Sequence, residues 1–447
     1  MAIKWEYSDK LRKAEDAVCC VKSGNWVDYG LGTNFPELLD RALAKRKGSL
    51  EDVKIRGGLS IYPIAVVESD PGRDVFTYNS WHFSSYERKL HDKNLCNYIP
   101  MTFRYLPHFY RRYLDVDVAF IPVSRMNDSG YFSVGLTNAG IRTVMEKAKI
   151  VILEENENLP FSLGEKSKSM IHISEADMIV TGDHSPIPET RNKEPSKEEY
   201  IIANQIVNMI ENGSVLQLGI GGIPDTVGKL IAESDIKDLG CHSEMIGDAY
   251  LRIHKAGKLT NKYKKTNTGK SVWTLAIGTN ELFEWLHLNQ EAASYPVDYV
   301  NAPEIISANE KMICINGAIG IDLFGQTCAE SVGMRNISGA GGQLDFLTGA
   351  FYSDGGKGFI CMTSTYIKQD GSIESCIVPH IWEGSIITDP RSQAFYIVTE
   401  YGMANLAGLS TWERAEKIIS IAHPDFRESL IHAAERQKIW RKSNKKI

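Results

Sequence analysis

No two cysteines in this chain are separated by two residues, no two histidines stand four apart, and no acidic calcium loop occurs. The spacings that build structural zinc or calcium sites are therefore missing. His242 stands beside Cys241, and adjacent residues converge poorly on one ion. No metal site is expected. The eight cysteines are scattered, with only Cys19 and Cys20 adjacent, which favours reduced thiols over a disulfide framework. No apolar run approaches the roughly 20 residues that a membrane span needs. The opening MAIKWEYSDKLRKAEDA lacks the apolar core of a secretory signal, so a cytoplasmic protein away from the membrane is expected. An excess of basic residues is lacking too. The formal charge of −6 argues against nucleic acid as the main partner.

Nucleotide fingerprints are also absent. The turn Gly219 to Pro224, GIGGIP, is not the dinucleotide-binding G-x-G-x-x-G, because Pro224 and Asp225 follow and no acid is placed for a ribose. The Gly-Lys-Ser at Gly269 to Ser271 lacks the earlier glycine of a phosphate-wrapping loop. ATP and NAD are poor expectations.

What is present is a large, ordinary globular composition. At 447 residues the chain exceeds what one core usually supports, so two domains are expected. A weak internal duplication agrees. Leu11 to Leu43 reads as an amphipathic helix, a glycine stop, a short apolar strand, a glycine turn and a proline opening another helix. The same order recurs from Tyr200 to Ser234, matching Gly24 with Gly213, Gly30 with Gly219, and Pro36 with Pro224. Between the copies, SPIPETRNKEPSKEE (Ser185 to Glu199) reads as a linker, and Ser196 with Glu199 forms a capping box for the next helix. The division falls at 1–192 and 193–447. Apolar runs at Val116–Ile121, Lys149–Leu153, Val215–Leu218, Val272–Ile277 and Met312–Ile315 read as buried strands alternating with helices. The expected fold is α/β: two similar open α/β domains with mainly parallel sheets. Ligands in such folds bind beyond the carboxyl ends of the strands.

Several segments could carry chemistry. GIGGIP would offer backbone N–H groups to an anion at a helix N-terminus, unless it only lets a strand meet a helix. SGAGGQLDF, Ser338 to Phe346, is bare enough for a ligand to approach its backbone, the alternative being a mobile turn. Asn316 to Gly320 could form a third wall. Glu244 follows an apparent strand, Leu239–Ser243, and is flanked by His242, Met245 and Gly247 rather than by other charges. A partly desolvated carboxylate can act as a nucleophile, and Asp248 is the alternative acid. The lysine-rich Leu259 to Lys270 reads as a solvated loop, with a diphosphate or 3′-phosphate as the other reading. His423 reads as a cap or packing residue. RKSNKKI, from Arg441 to Ile447, reads as a frayed tail.

Taken in order, these segments resemble the acetyl-CoA hydrolase/transferase family, and specifically its 4-hydroxybutyrate and butyryl-CoA:acetate CoA-transferase branch. The resemblance also includes DVAFIPVSRMNDSGYFSVG, EENENLPFSLG, IHISEADMIVTGDHSPIPE and VTEYGMANLAGLSTWERAEKIISIAHPDFRE, and so spans nearly the whole chain. It implies CoA-transferase domains in which Glu244 attacks an acyl-CoA and passes through a glutamyl-CoA thioester, in ping-pong fashion. No metal or redox cofactor is implied, and coenzyme A is a substrate. The CoA contacts implied are Gly219, Ile220, Gly221, Gly222, Ile223, Ile319, Gly342 and Lys368. Around Lys368, STYIK departs from the common Ser-Thr-Ala-Lys spacing. Asp128-Ser129 before Gly130-Tyr131 also departs from the family, as does the lack of a histidine after Gly30 to Gly32, and both put the acyl substrate in doubt. The resemblance implies a homodimer, short-chain acyl-CoA and carboxylate substrates, and a place in butyrate and fatty acid metabolism. An acyl-CoA hydrolase and a non-catalytic acyl-CoA sensor are the alternatives.

Overall fold

The computed structural model describes residues 2–190 and 194–441. The expected boundary at 192 and the tail beyond Arg441 lie outside the described residues. The chain forms two compact units. One comprises Met1–Arg191 with Glu244–Gly247 and Lys270–Asn301; the other comprises Asn192–Ser243, Asp248–Gly269 and Ala302–Ile447. This corrects the expectation of a continuous second domain over 193–447 that holds the glutamate. Glu244 belongs with the first unit.

The first unit is built on an eight-stranded sheet. Its strands in spatial order are Leu11–Arg12, Met178–Thr181, Ala148–Glu155, Val116–Val123, Trp26–Leu31, Val53–Gly58, Phe76–Ser80 and Asn97–Tyr98. Every neighbouring pair is parallel. Alternate residues of a strand point to opposite faces. Val118 and Phe120 accordingly join one apolar core, with Leu39 and Leu43 of the helix Glu37–Ala44, whereas Ala119 and Ile121 join the other, with Leu106, Tyr110 and Ile141. A sheet covered on both faces needs near-continuous apolar strands, which is why the run Val116–Ile121 within this strand was legible.

The second core also takes in Leu275 and Val297 from the later excursion. There the run Val272–Ile277, read as one strand, divides. Ser271–Trp273 pairs with Ala292–Ser294, and Leu275–Ala276 pairs with Met245–Ile246. Near the start, Leu11–Arg12 forms an edge strand, so the expected amphipathic helix shrinks to Ala14–Ala17 and a following 3-10 turn.

The second unit carries a six-stranded sheet in the order Gly240–Cys241, Val215–Leu218, Met312–Gly317, Lys357–Cys361, Tyr396–Thr399 and Gly402–Asn405. Its pairs are parallel except the last. Both sheets are thus mainly parallel, as expected. Gly24 and Gly213, matched in the duplication, both adopt left-handed backbone (φ +82° and +79°) shortly before their strands. The Ser196–Glu199 capping box starts the helix Lys197–Val207. Among the described residues no helix is long and apolar enough to cross a membrane.

Candidate active site

In the second unit the strand Val215–Leu218 is buried along its length, and it ends in the first glycine turn. Gln217 and Asn316 stand on neighbouring strands near their carboxyl ends and exchange two amide hydrogen bonds, of 3.3 and 3.1 Å. This pair couples the turn after Leu218 to the loop after Met312–Gly317, so the two predicted walls lie side by side. Ile220 is exposed, and Gly219, Gly221, Gly222 and Ile223 are half-buried. Gly221 has φ +127°, which a side chain rarely adopts, and open space where its Cβ would be. It is the N-cap of the helix Gly222–Glu233 and provides no side-chain cap. The first-turn N–H groups therefore depend on another partner, which suits an anion. At Gly222 a Cβ would fall 2.3 Å from a Glu199 carboxylate oxygen, so glycine there makes room for that side chain.

The loop with Ile319 is held by its own constraints. The Ile319 N–H donates to the Cys328 carbonyl at 2.8 Å. A Cβ on Gly320 would strike the Trp382 ring at 2.4 Å. Gly342 is buried and is the N-cap of the helix Gln343–Tyr352, again without a side-chain cap, and the preceding Gly341 has φ +55°. Lys368 lies where the hairpin formed by Thr365–Ile367 and Ile373–Ser375 turns, and its ammonium pairs with Glu374. The hydrogen bond from Lys368 to Glu374 is the first cause of its raised pKa. A phosphate that takes up Lys368 has to share or displace Glu374.

Glu244 stands in the first unit and is half-buried. Its backbone carbonyl accepts hydrogen bonds from the N–H groups of Thr274 (3.1 Å) and Leu275 (3.0 Å). The strand that follows, Met245–Ile246, pairs in register with Leu275–Ala276. Thr33, just after Gly30 to Gly32, ties the same segment to that N-terminal turn by donating its hydroxyl to the Ala276 carbonyl at 2.5 Å. One Glu244 carboxylate oxygen accepts a hydrogen bond from the Asn301 side-chain amide at 2.6 Å. The amide is a neutral donor that fixes the carboxylate in place, and a carboxylate so held can act as a nucleophile. Sequence reasoning missed Asn301. It follows the helix Val297–Val300 as its C-cap, and its partner lies 57 positions away, so the pairing leaves no local trace. Asp248, the alternative acid, opens the helix Asp248–Lys255, where a carboxylate complements the helix dipole.

The lysine-rich loop is not uniformly solvated. Lys264 is 2% exposed, and its ammonium donates to the Cys241 carbonyl at 2.6 Å. Burial pulls its pKa down to about 7. His423, as expected, caps a helix, its imidazole accepting from the Asp425 N–H.

Comparison with known proteins shows the family. Residues 1–191 match the acetyl-CoA hydrolase/transferase N-terminal domain, and residues 278–434 match the C-terminal domain. The protein belongs to the acetyl-CoA hydrolase/transferase family. Its chain is 47% identical over 447 residues to butyryl-CoA:acetate CoA-transferase of Anaerostipes caccae, covering all of both chains. The crystal structure of RipA from Yersinia pestis superposes with a TM-score of 0.90 at 33% identity, covering 98% of this chain and 100% of that one. The 4-hydroxybutyrate CoA-transferase of Porphyromonas gingivalis superposes with a TM-score of 0.81 at 31% identity, covering 97% and 99%.

Proposed function

We propose that this protein is a CoA-transferase that moves coenzyme A from a short-chain acyl-CoA of the butyryl or 4-hydroxybutyryl kind to a carboxylate acceptor such as acetate. The observation that carries the reading is the Glu244 carboxylate held by the neutral Asn301 amide, in a chain matched end to end with a butyryl-CoA:acetate CoA-transferase.

In this mechanism a Glu244 oxygen attacks the thioester carbonyl. The C–S bond breaks, giving an acyl-glutamyl anhydride and CoA thiolate. The thiolate then adds to the glutamyl carbonyl and expels the acyl group as its carboxylate, leaving a glutamyl-CoA thioester. Negative charge develops on the glutamyl oxygen during that addition, and the Asn301 N–H donates to an oxygen of this group. An acceptor carboxylate reverses both steps. Coenzyme A contacts Gly219, Ile220, Gly221, Gly222, Ile223, Ile319, Gly342 and Lys368. The enzyme works as a cytoplasmic homodimer and needs no metal or redox cofactor.

A hydrolase would send the same intermediate to water, and the full-length relative named as a transferase favours transfer. The test is exchange between butyryl-CoA and labelled acetate. Glu244→Gln abolishes exchange while CoA still binds, and Asn301→Ala lowers kcat by about 10²-fold, as removal of one oxyanion donor does. Exchange retained by Glu244→Gln defeats the assignment. Release of free CoA at the same rate with and without acetate establishes the hydrolase.

A further inference from the structure

A carboxylic acid is buried beside the glycine-rich loop of the second unit, with no ion pair among the described residues. Asp389 is 0% exposed, and its backbone is fixed against Thr327, with N–H and carbonyl hydrogen bonds of 3.2 and 3.0 Å. One carboxyl oxygen accepts from the Gln343 side-chain amide at 2.5 Å. The other has no hydrogen-bond partner among the described residues. Burying a carboxyl with no cation and one idle oxygen is costly. Burial pushes its pKa up to about 7, against the lowering effect of the Gln343 hydrogen bond.

What Asp389 holds explains that burial. Gln343 is the first residue of its helix, directly after Gly342, and is half-buried. A glutamine amide carries a donor nitrogen and an acceptor oxygen on opposite prongs of one plane. Left alone it can present either. A carboxylate that accepts from Nε2 removes that choice and fixes Oε1 as the prong left over for a ligand. The thioester arm of coenzyme A carries two secondary amides, each with an N–H that needs an acceptor when it leaves water.

We propose that Asp389 is a positioning residue that locks the Gln343 amide so that its Oε1 accepts an amide N–H of the acyl-CoA arm. This rests on the transferase reading of the same loop and adds a binding group to it.

The test is a double-mutant cycle on the full-length enzyme, with KM for butyryl-CoA, kcat and the thermal midpoint as readouts. Asp389→Ala and Gln343→Ala each raise KM about tenfold with kcat changed less than about twofold, and the double variant is no worse than either single, since both remove one coupled contact. Asp389→Asn keeps the shape and an acceptor oxygen, and restores KM to within about threefold of the parent. Overturning results are effects that multiply in the double variant, wild-type KM in Gln343→Ala, or an Asp389→Ala that lowers only the thermal midpoint. Should Asp389→Ala fail to fold, the Gln343→Ala and Asp389→Asn values still decide. Absence of butyryl-CoA:acetate exchange in the parent enzyme defeats the proposed function itself, whereas exchange with independent effects defeats only this inference.

Discussion

At the scale of single residues, the site depends on how neutral and charged groups are placed. Glu244 stands out in the sequence because its neighbours His242, Met245 and Gly247 are not acids or strong bases and an apparent strand precedes it. Asn301 does not, because an asparagine before Ala-Pro is an ordinary turn residue until the fold brings its amide within 2.6 Å of the carboxylate. Lys264 went the other way: its lysine-rich surroundings suggest solvent, yet its aliphatic stem packs where a Cβ on Gly240 would fall. A lysine whose folded pKa is about 7, against the ordinary 10.5, binds fewer protons folded than unfolded between those values. Its burial penalty is therefore full below pH 7 and fades as pH rises through that window. We expect urea unfolding at pH 7.0 and 8.5 to show the stability of the parent gaining on that of Lys264→Met as pH rises. A difference independent of pH would place the Lys264 pKa near its usual value.

At the scale of elements, the strands that the sequence announced are those buried on both faces, such as Val215–Leu218 and Met312–Gly317. The Val272–Ile277 run misled because periodicity cannot show that Thr274 and Leu275 turn their N–H groups to the Glu244 carbonyl instead of a long ladder. The two glycine turns were visible as composition; their backbone angles were not. Gly221 is the sharpest case, since its φ of +127° leaves space but not conformation for a side chain. Gly221→Ala is expected to cost about 1–3 kcal/mol of local strain. Calorimetry should show CoA affinity falling at least about tenfold, with the kcat of saturated enzyme falling less. Unchanged affinity would make this turn purely structural.

At the scale of the whole molecule, composition and length announced two α/β bodies, and a division at 192 followed from prolines and charge. Linear sequence does not show that Leu275 and Val297 complete the apolar core beneath Ala119 and Ile121. Long-range burial of this kind has no local signature. A fragment ending at residue 190 should therefore expose apolar surface that the full chain buries, bind a hydrophobic dye and lack a cooperative thermal transition. A fragment with native-like near-ultraviolet dichroism and a sharp transition would show that the excursions are dispensable to the first unit.

The most direct test of the central claim, that Glu244 carries coenzyme A as a thioester, is intact-protein mass spectrometry after incubation with butyryl-CoA, followed by borohydride reduction and peptide mapping. The claim requires a mass increase of one coenzyme A on the untreated enzyme and a reduced residue in the peptide containing Glu244. A CoA adduct on any other residue, or no adduct with butyryl-CoA or related short acyl-CoAs while exchange with acetate proceeds, would contradict it.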